Sequence, residues 1–313
     1  MLSLTRYLEL VKRKKLLPIL RIQTTVIRSI EDFMVSHGFV QLMPVLLSTI
    51  TDPLGPDPGS SVIEVPEIEY YSQRLVLTQS MILHKQIAVA AGLDKIFIFS
   101  PNIRLEHEKR KSTGKHLIEF TQMDFEIANA TMDDIMNLVE DLIIEVMKNV
   151  MKINEEDLKL LNRELKIPRK PFKRYTSHEM VQKYGEDWEF AASLDHSEPF
   201  WVTCFKREFY DREDPERPGH YRNYDLIYPE GFGEALSGGE REWEYERIVS
   251  RIRRDGLELD RFRIYLEVAR MGFLIPSAGA GLGIERFVRF LVGAKHIGDI
   301  QLFKRVPGEK ILI

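Results

Sequence analysis

Residues 95–126, KIFIFSPNIRLEHEKRKSTGKHLIEFTQMDFE, decide how the rest of the chain is read. Two apolar runs, Ile96 to Phe99 and Leu117 to Phe125, flank a polar stretch dense in charge, which predicts two antiparallel strands joined by a long turn. The turn carries His107, Lys109, Arg110, Lys111, Lys115 and His116. Arg104 and Glu106 leave the first strand, while Glu119, Phe120, Asp124 and Glu126 lie on the second. Guanidinium and ammonium groups pair with phosphate oxygens and a phenyl ring offers a flat face, so this hairpin can hold a phosphorylated ligand with a planar ring. The residues taken alone fit equally well a solvated hairpin whose charges bind nothing.

Moving outward, 313 residues are enough to bury a large core, as one large α/β domain or two smaller ones. Lys plus Arg total 44 against 48 for Asp plus Glu, a formal charge of -4. That balance argues against a surface that tracks nucleic acid along its whole extent and leaves room for a local basic cleft. Cys204 is the one cysteine, which excludes an intrachain disulfide and a cysteine-rich zinc site. No apolar run approaches the ~18 to 20 residues of a membrane span, and the basic start around Lys12 to Lys15 is not followed by a signal-like stretch. A cytoplasmic protein without a membrane partner is expected.

Taken in order, residues 1–17 read as a basic arm and 18–313 as the main domain. From Pro18, Ile19, Ile22, Val26, Ile30, Phe33 and Met34 recur at helical spacing as far as His37. Phe39 to Leu46 reads as a strand, and Pro44 assigns it to an edge or an interface because proline cannot donate to a ladder. Residues 51–61, TDPLGPDPGSS, are turn or loop; strands are expected at Ser61 to Val65 and Arg74 to Thr78, and a helix at Met81 to Ala91. Thr131 and Asp134 form a capping box for an amphipathic helix whose apolar face is core. Residues 152–174 read as a surface helix with a linker, Thr176 to Tyr184 as a helix, and Phe200 to Phe205 and Tyr224 to Tyr228 as strands. Gly231 to Gly239, GFGEALSGG, reads as a glycine-rich connection into a charged helix from Glu240 to Arg254, and Asp260 as the cap of the next helix. Glycine at 279, 281 and 283, followed at once by a helix, lets backbone approach a ligand closely.

These pieces fall in the order of the three motifs of class II aminoacyl-tRNA synthetases, and the chain resembles their aspartyl and asparaginyl branch over roughly residues 20–310. The first motif is similar to the long helix plus GFVQLMP, the second to IRLE and KHLIEFTQMDFE, and the third to GAGLGIERFVRF. The blocks FWVTCFKREFYDR and DLIYPEGFGEALSGGERE also match in order and composition. The resemblance implies an α+β fold: a mainly antiparallel mixed sheet flanked by helices, in a homodimer built on the first-motif helix and the Pro44 strand. Only about 20 residues precede that helix, too few for the five-stranded anticodon-binding barrel of these synthetases. The archaeal asparagine synthetases related to asparaginyl-tRNA synthetase are therefore the family it resembles most. That implies asparagine synthesis from L-aspartate, ATP and ammonia through a β-aspartyl-adenylate, releasing AMP and pyrophosphate, with no stable tRNA partner.

The same resemblance assigns roles. Arg104 would contact the α-phosphate and the reacting carboxylate, Glu106 the adenine amino group, and Phe120 the adenine ring. His116 and Arg286 would hold the γ-phosphate end, with Gly283 in the ATP-binding third motif. Glu234, supported by Asp225, would hold Mg2+ as hard oxygen ligands. Lys85 in QSMILHKQ and Arg241 in SGGER would read the aspartate carboxylates, and Ser80 and Asp124 would surround its ammonium, Asp124 being also a candidate general base. Departures from the pattern fall near the substrate: Met81 and Ile82 replace a proline and a glutamine, Ser277 a histidine and Ala280 a phenylalanine. The second-motif turn is longer, with Lys109, Arg110 and Lys111 added, and Lys115 stands where an arginine is usual. The alternatives are activation of aspartate or asparagine for transfer to tRNA or a protein, and a non-catalytic binding role.

Overall fold

The computed structural model describes residues 16–54 and 61–311, so the basic arm expected over 1–17 lies outside the described residues except for Leu16 and Leu17. In chain order, helix α1 (Leu16–Ser36) leads to β1 (Val40–Gln41), β2 (Leu47–Ser48), β3 (Glu67–Tyr70) and β4 (Gln73–Leu77). Helix α2 (Ile82–Ala90) precedes the long hairpin of β5 (Lys95–Ile103) and β6 (Glu119–Ala128), whose turn contains a 3-10 segment, Glu108–Thr113. Next come α3 (Met132–Ile153), α4 (Glu155–Leu160), β7 (Lys173–Thr176), α5 (Ser177–Tyr184) and α6 (Trp188–Asp195). The chain continues through β8 (Phe200–Thr203), β9 (Asn223–Tyr228), β10 (Gly233–Glu240), α7 (Tyr245–Arg254), α8 (Arg263–Arg270), β11 (Ser277–Gly283) and α9 (Ile284–Val292).

Eight strands form one sheet in the order β1-β5-β6-β11-β10-β9-β8-β7, parallel in the outermost pair at each end and antiparallel elsewhere. A smaller antiparallel sheet has the order β2-β4-β3. The apolar stripe of α1, with Ile22, Val26 and Ile30 buried, packs with α3, α9 and the inward side chains of β5, β6, β10 and β11. A separate apolar cluster joins α2, α7 and α8 around Phe209 and Tyr265. The predicted capping box is present: Thr131 Oγ1 accepts from the Asp134 backbone N–H, and the Asp134 carboxylate accepts from that of Thr131 at 2.8 Å. Among the described residues no helix is long and apolar enough to cross a membrane.

Several local expectations change. The strand predicted over 39–46 is two short strands in two different sheets with Pro44 between them, and β1 does occupy a sheet edge. The strand predicted at 61–65 reduces to one bridge, Val62 to Glu106, and β3 forms further on, at Glu67–Tyr70. The GFGEALSGG segment is no connection, because Gly233–Glu240 is an interior strand and the charged helix starts only at Tyr245. Tertiary packing overrides its low strand propensity: a Cβ at Gly238 would strike Gly279 O on β11 and the Tyr224 ring on β9. Asp260 sits inside a 3-10 turn, Leu259–Phe262, and does not cap α8. Helix α6 was not legible in the acidic and aromatic alternation of 185–198.

Candidate active site

Strand period explains the floor of the site. Along β6, Met123 and Phe125 turn into the core, so Gln122, Asp124 and Glu126 project from the other face. Each faces a glycine of β11: Gln122 pairs with Gly283, Asp124 with Gly281 and Glu126 with Gly279. The missing side chains make room, since a Cβ at Gly281 would stand 3.0 Å from both Asp124 Oδ1 and Gln122 Nε2.

Two cavities lie over this floor. Ser80, Lys85, Asp124 and Arg241 line the first. Glu106, His116, Phe120, Glu234, Gly283 and Arg286 line the second. Arg104, Gln122, Arg207 and Ser237 line both, so the two cavities meet at this group.

The first cavity is walled by a buried chain of alternating charge. Lys85 Nζ lies 2.9 Å from Asp124 Oδ1 and 3.8 Å from Glu126 Oε2, with all three side chains at most 3% exposed. Arg241 reaches Glu126 Oε1 at 3.0 Å and Asp211 Oδ1 at 2.9 Å, and Ser277 Oγ donates to the same Glu126 oxygen at 2.9 Å. Burial alone would lower the Arg241 pKa, but Glu126 and Asp211 outweigh it and raise it further. Asp124 Oδ2 is buried and has no hydrogen-bond partner among the described residues, which leaves an acceptor for a cationic donor.

In the second cavity the Arg104 guanidinium lies 5.3 Å from the Phe120 ring centroid, and Arg104 Nε donates to Gln79 O at 3.1 Å. Glu106 accepts from both the Ser61 N–H and the Ser61 hydroxyl. Burial, reinforced by Arg286, Lys115 and Arg110, pushes His116 down to about 2, so its imidazole is neutral near pH 7. Arg286 Nη1 lies 3.0 Å from Glu234 Oε1. Burial would raise Glu234, but Arg286, Lys115 and Arg207 prevail and hold it down to about 2. Asp225 lies outside both linings, its Oδ2 bonded to Arg207, and burial pushes it up to about 7 against the pull of that arginine.

The carboxylates fit a hard cation. Asp225 Oδ1 is a buried acceptor with no partner among the described residues, and Glu234 faces the cavity, so these two carboxylates would be the ones to hold Mg2+. Among the described residues no group of three or more His, Cys, Asp or Glu is placed to hold a metal unaided.

Sequence reasoning missed Gln122, Arg207, Asp211, Ser237 and the bridging role of Glu126. Gln122 and Glu126 were recoverable from period 2 around Asp124. Arg207 and Asp211 lie in the irregular segment after β8, where no local period marks a direction.

Fold and cavities together define a class II synthetase catalytic core, with a mixed, mainly antiparallel sheet flanked by helices. The chain belongs to the family of tRNA synthetases class II (D, K and N), whose model matches residues 2–307. It is 29% identical over 303 residues to the asparagine–tRNA ligase of Thermoplasma acidophilum, covering 90% of this chain and 67% of that relative. It is 30% identical over 323 residues to the aspartate–tRNA(Asp) ligase of Pyrococcus furiosus, covering 96% and 70%. Among solved structures it is similar to the asparaginyl-tRNA synthetase from Pyrococcus horikoshii complexed with asparaginyl-adenylate, with a TM-score of 0.82, 26% identity and coverage of 95% and 70%. The names of these relatives are those of tRNA ligases, not of asparagine synthetases.

Proposed function

We propose that this chain activates aspartate with ATP, joining a substrate carboxylate to the α-phosphorus as an acyl-adenylate and releasing pyrophosphate. One observation carries the reading: Arg104 lines both cavities, where an amino acid in the first meets a nucleotide in the second. Delocalised positive charge at that junction stabilises the charge that develops on a pentacoordinate phosphorus. Phe120 offers its ring to adenine, Glu106 an acceptor for the adenine amino group, and Gly283 an approach for backbone. His116 and Arg286 take the γ-phosphate end. Lys85 and Arg241 read the aspartate carboxylates; both are already paired with Asp124, Glu126 and Asp211, so a substrate carboxylate takes over one of their donors on binding. Asp124 Oδ2 and Ser80 receive the substrate ammonium. Asp225 and Glu234 hold Mg2+, which when bound neutralises phosphate charge.

The names of the relatives support tRNA as the acceptor of the activated group. A second reading takes ammonia as the acceptor, the reaction expected from the resemblance to the archaeal asparagine synthetases. If Lys85 and Arg241 grip the α-carboxylate, the β-carboxylate meets the phosphorus, and attack by ammonia yields asparagine and AMP. The catalytic unit in this proposal is residues 18–313, acting in the cytoplasm as a homodimer. Val40 and Met43 beside Pro44 are 51% and 85% exposed, an apolar surface that a second copy would cover.

The test is pyrophosphate exchange with ATP, Mg2+ and either aspartate or asparagine, followed by product analysis with ammonium or with tRNA. Aspartate-dependent exchange supports the reading, and exchange with neither amino acid overturns it. Asparagine formed with AMP in the absence of tRNA selects ammonia, whereas charged tRNA without free asparagine selects tRNA.

A further inference from the structure

Lys115 lines the second cavity together with His116 and Arg286, yet its ammonium is bonded to Glu189 of α6, a carboxylate outside that lining. The same oxygen, Glu189 Oε1, accepts the backbone N–H of Glu234 at 2.8 Å. The carboxylate is seated against the start of β10: a Cβ at Gly233 would collide with Glu189 Oε1 and stand 3.6 Å from Lys115 Nζ. One side chain from the segment between β7 and β8 thus engages both a cavity cation and the backbone of a candidate metal ligand. Arg286 feels it too, since Glu234 and then Glu189 outweigh the lowering effect of burial on that arginine.

We infer that Glu189 is a positioning residue that sets ATP affinity, holding the Lys115 ammonium until the β- and γ-phosphates take it over while fixing the Glu234 backbone through the same oxygen. The inference rests on the ATP site proposed above. A triphosphate carries several negative charges against the single charge of a carboxylate, so Lys115 changes partner when ATP enters. Breaking the Lys115–Glu189 pair, and leaving Glu189 beside the phosphates, then subtracts from ATP binding. AMP lacks the β- and γ-phosphates and does not call on Lys115.

Glu189→Gln separates the two roles, because its amide oxygen still accepts the Glu234 N–H while the charge is gone. Calorimetric titration of the full chain with ATP and Mg2+ is expected to show ATP binding tightened about fivefold in this variant, the scale of a partly exposed ion pair, with AMP binding unchanged. Lys115→Met is expected to weaken ATP severalfold and leave AMP unchanged, and in the double variant the gain from Glu189→Gln disappears. Unchanged or weaker ATP binding in Glu189→Gln, or equal tightening for ATP and AMP, overturns the inference. If Glu189→Gln does not fold, an equal effect of Lys115→Met on ATP and AMP overturns it. A wild-type chain that binds no ATP overturns the proposed function and this inference with it, and that result is visible before any variant is made.

Discussion

The Lys85 ammonium spends its donors on Asp124 Oδ1 at 2.9 Å, Ala280 O at 3.1 Å and Phe125 O at 3.3 Å, inside a wall that solvent does not reach. An expected substrate-reading lysine is thus already fully partnered by protein. A substrate carboxylate acts on it by taking over a donor or through the local field. Removing one member of such a pair strands the other. Lys85→Met is expected to destabilise the fold by about 3–5 kcal/mol, and Lys85→Met with Asp124→Asn to recover a large part of that loss. Denaturant unfolding of the single and double variants checks this.

Arg104 is expected to act on the transition state more than on ground-state binding. Arg104→Lys keeps a positive charge but loses the planar fork, so the exchange rate should fall about 100-fold or more while KM for ATP changes little. A drop in affinity with the turnover rate intact would remove Arg104 from the reacting centre.

Gly281 sets the depth of the first cavity. In Gly281→Ala the new Cβ would lie 3.0 Å from Asp124 Oδ1, so the carboxylate has to shift. The expected result is a rise in KM for aspartate of about tenfold or more, within the ~1–3 kcal/mol range of overpacking, with KM for ATP much less affected. Steady-state exchange assays with each substrate varied in turn measure both.

Glu285 on α9 accepts the Thr121 backbone N–H at 3.0 Å, and burial pushes its carboxyl from an ordinary 4.5 up to about 7. Between those values the folded state keeps a proton that the unfolded chain has released, so this group makes stability fall as pH rises, by up to about 1.4 kcal/mol per pH unit. The penalty is absent below about 4.5 and complete above about 7. Glu285→Gln should therefore gain stability relative to wild type at pH 8 and show little difference at pH 4. Melting temperatures of both proteins across this range provide the comparison.

Much of the framework was legible because its signals are local. The apolar runs at 96–99 and 117–125, the Thr131–Asp134 box and the 3.6-residue recurrence from Ile19 to Met34 are each signals carried within one element. Glycine-rich Gly233–Glu240 misled for the opposite reason. Its strand state depends on Tyr224, Gly279 and Ala280 closing around it, and nothing within the segment reports those neighbours.

The sequence by itself determined the order of the motif blocks, the hairpin at 95–126 and the residue types able to serve a carboxylate and a phosphate. Tertiary structure alone decided that Arg104 sits in two cavities at once, that Glu126 lies between Lys85 and Arg241, and that Glu189 reaches Lys115 from 74 residues away. Side-chain alternation says which face of a strand a residue takes. It does not say which strand lies alongside, because that choice is made by burying apolar faces contributed by distant segments.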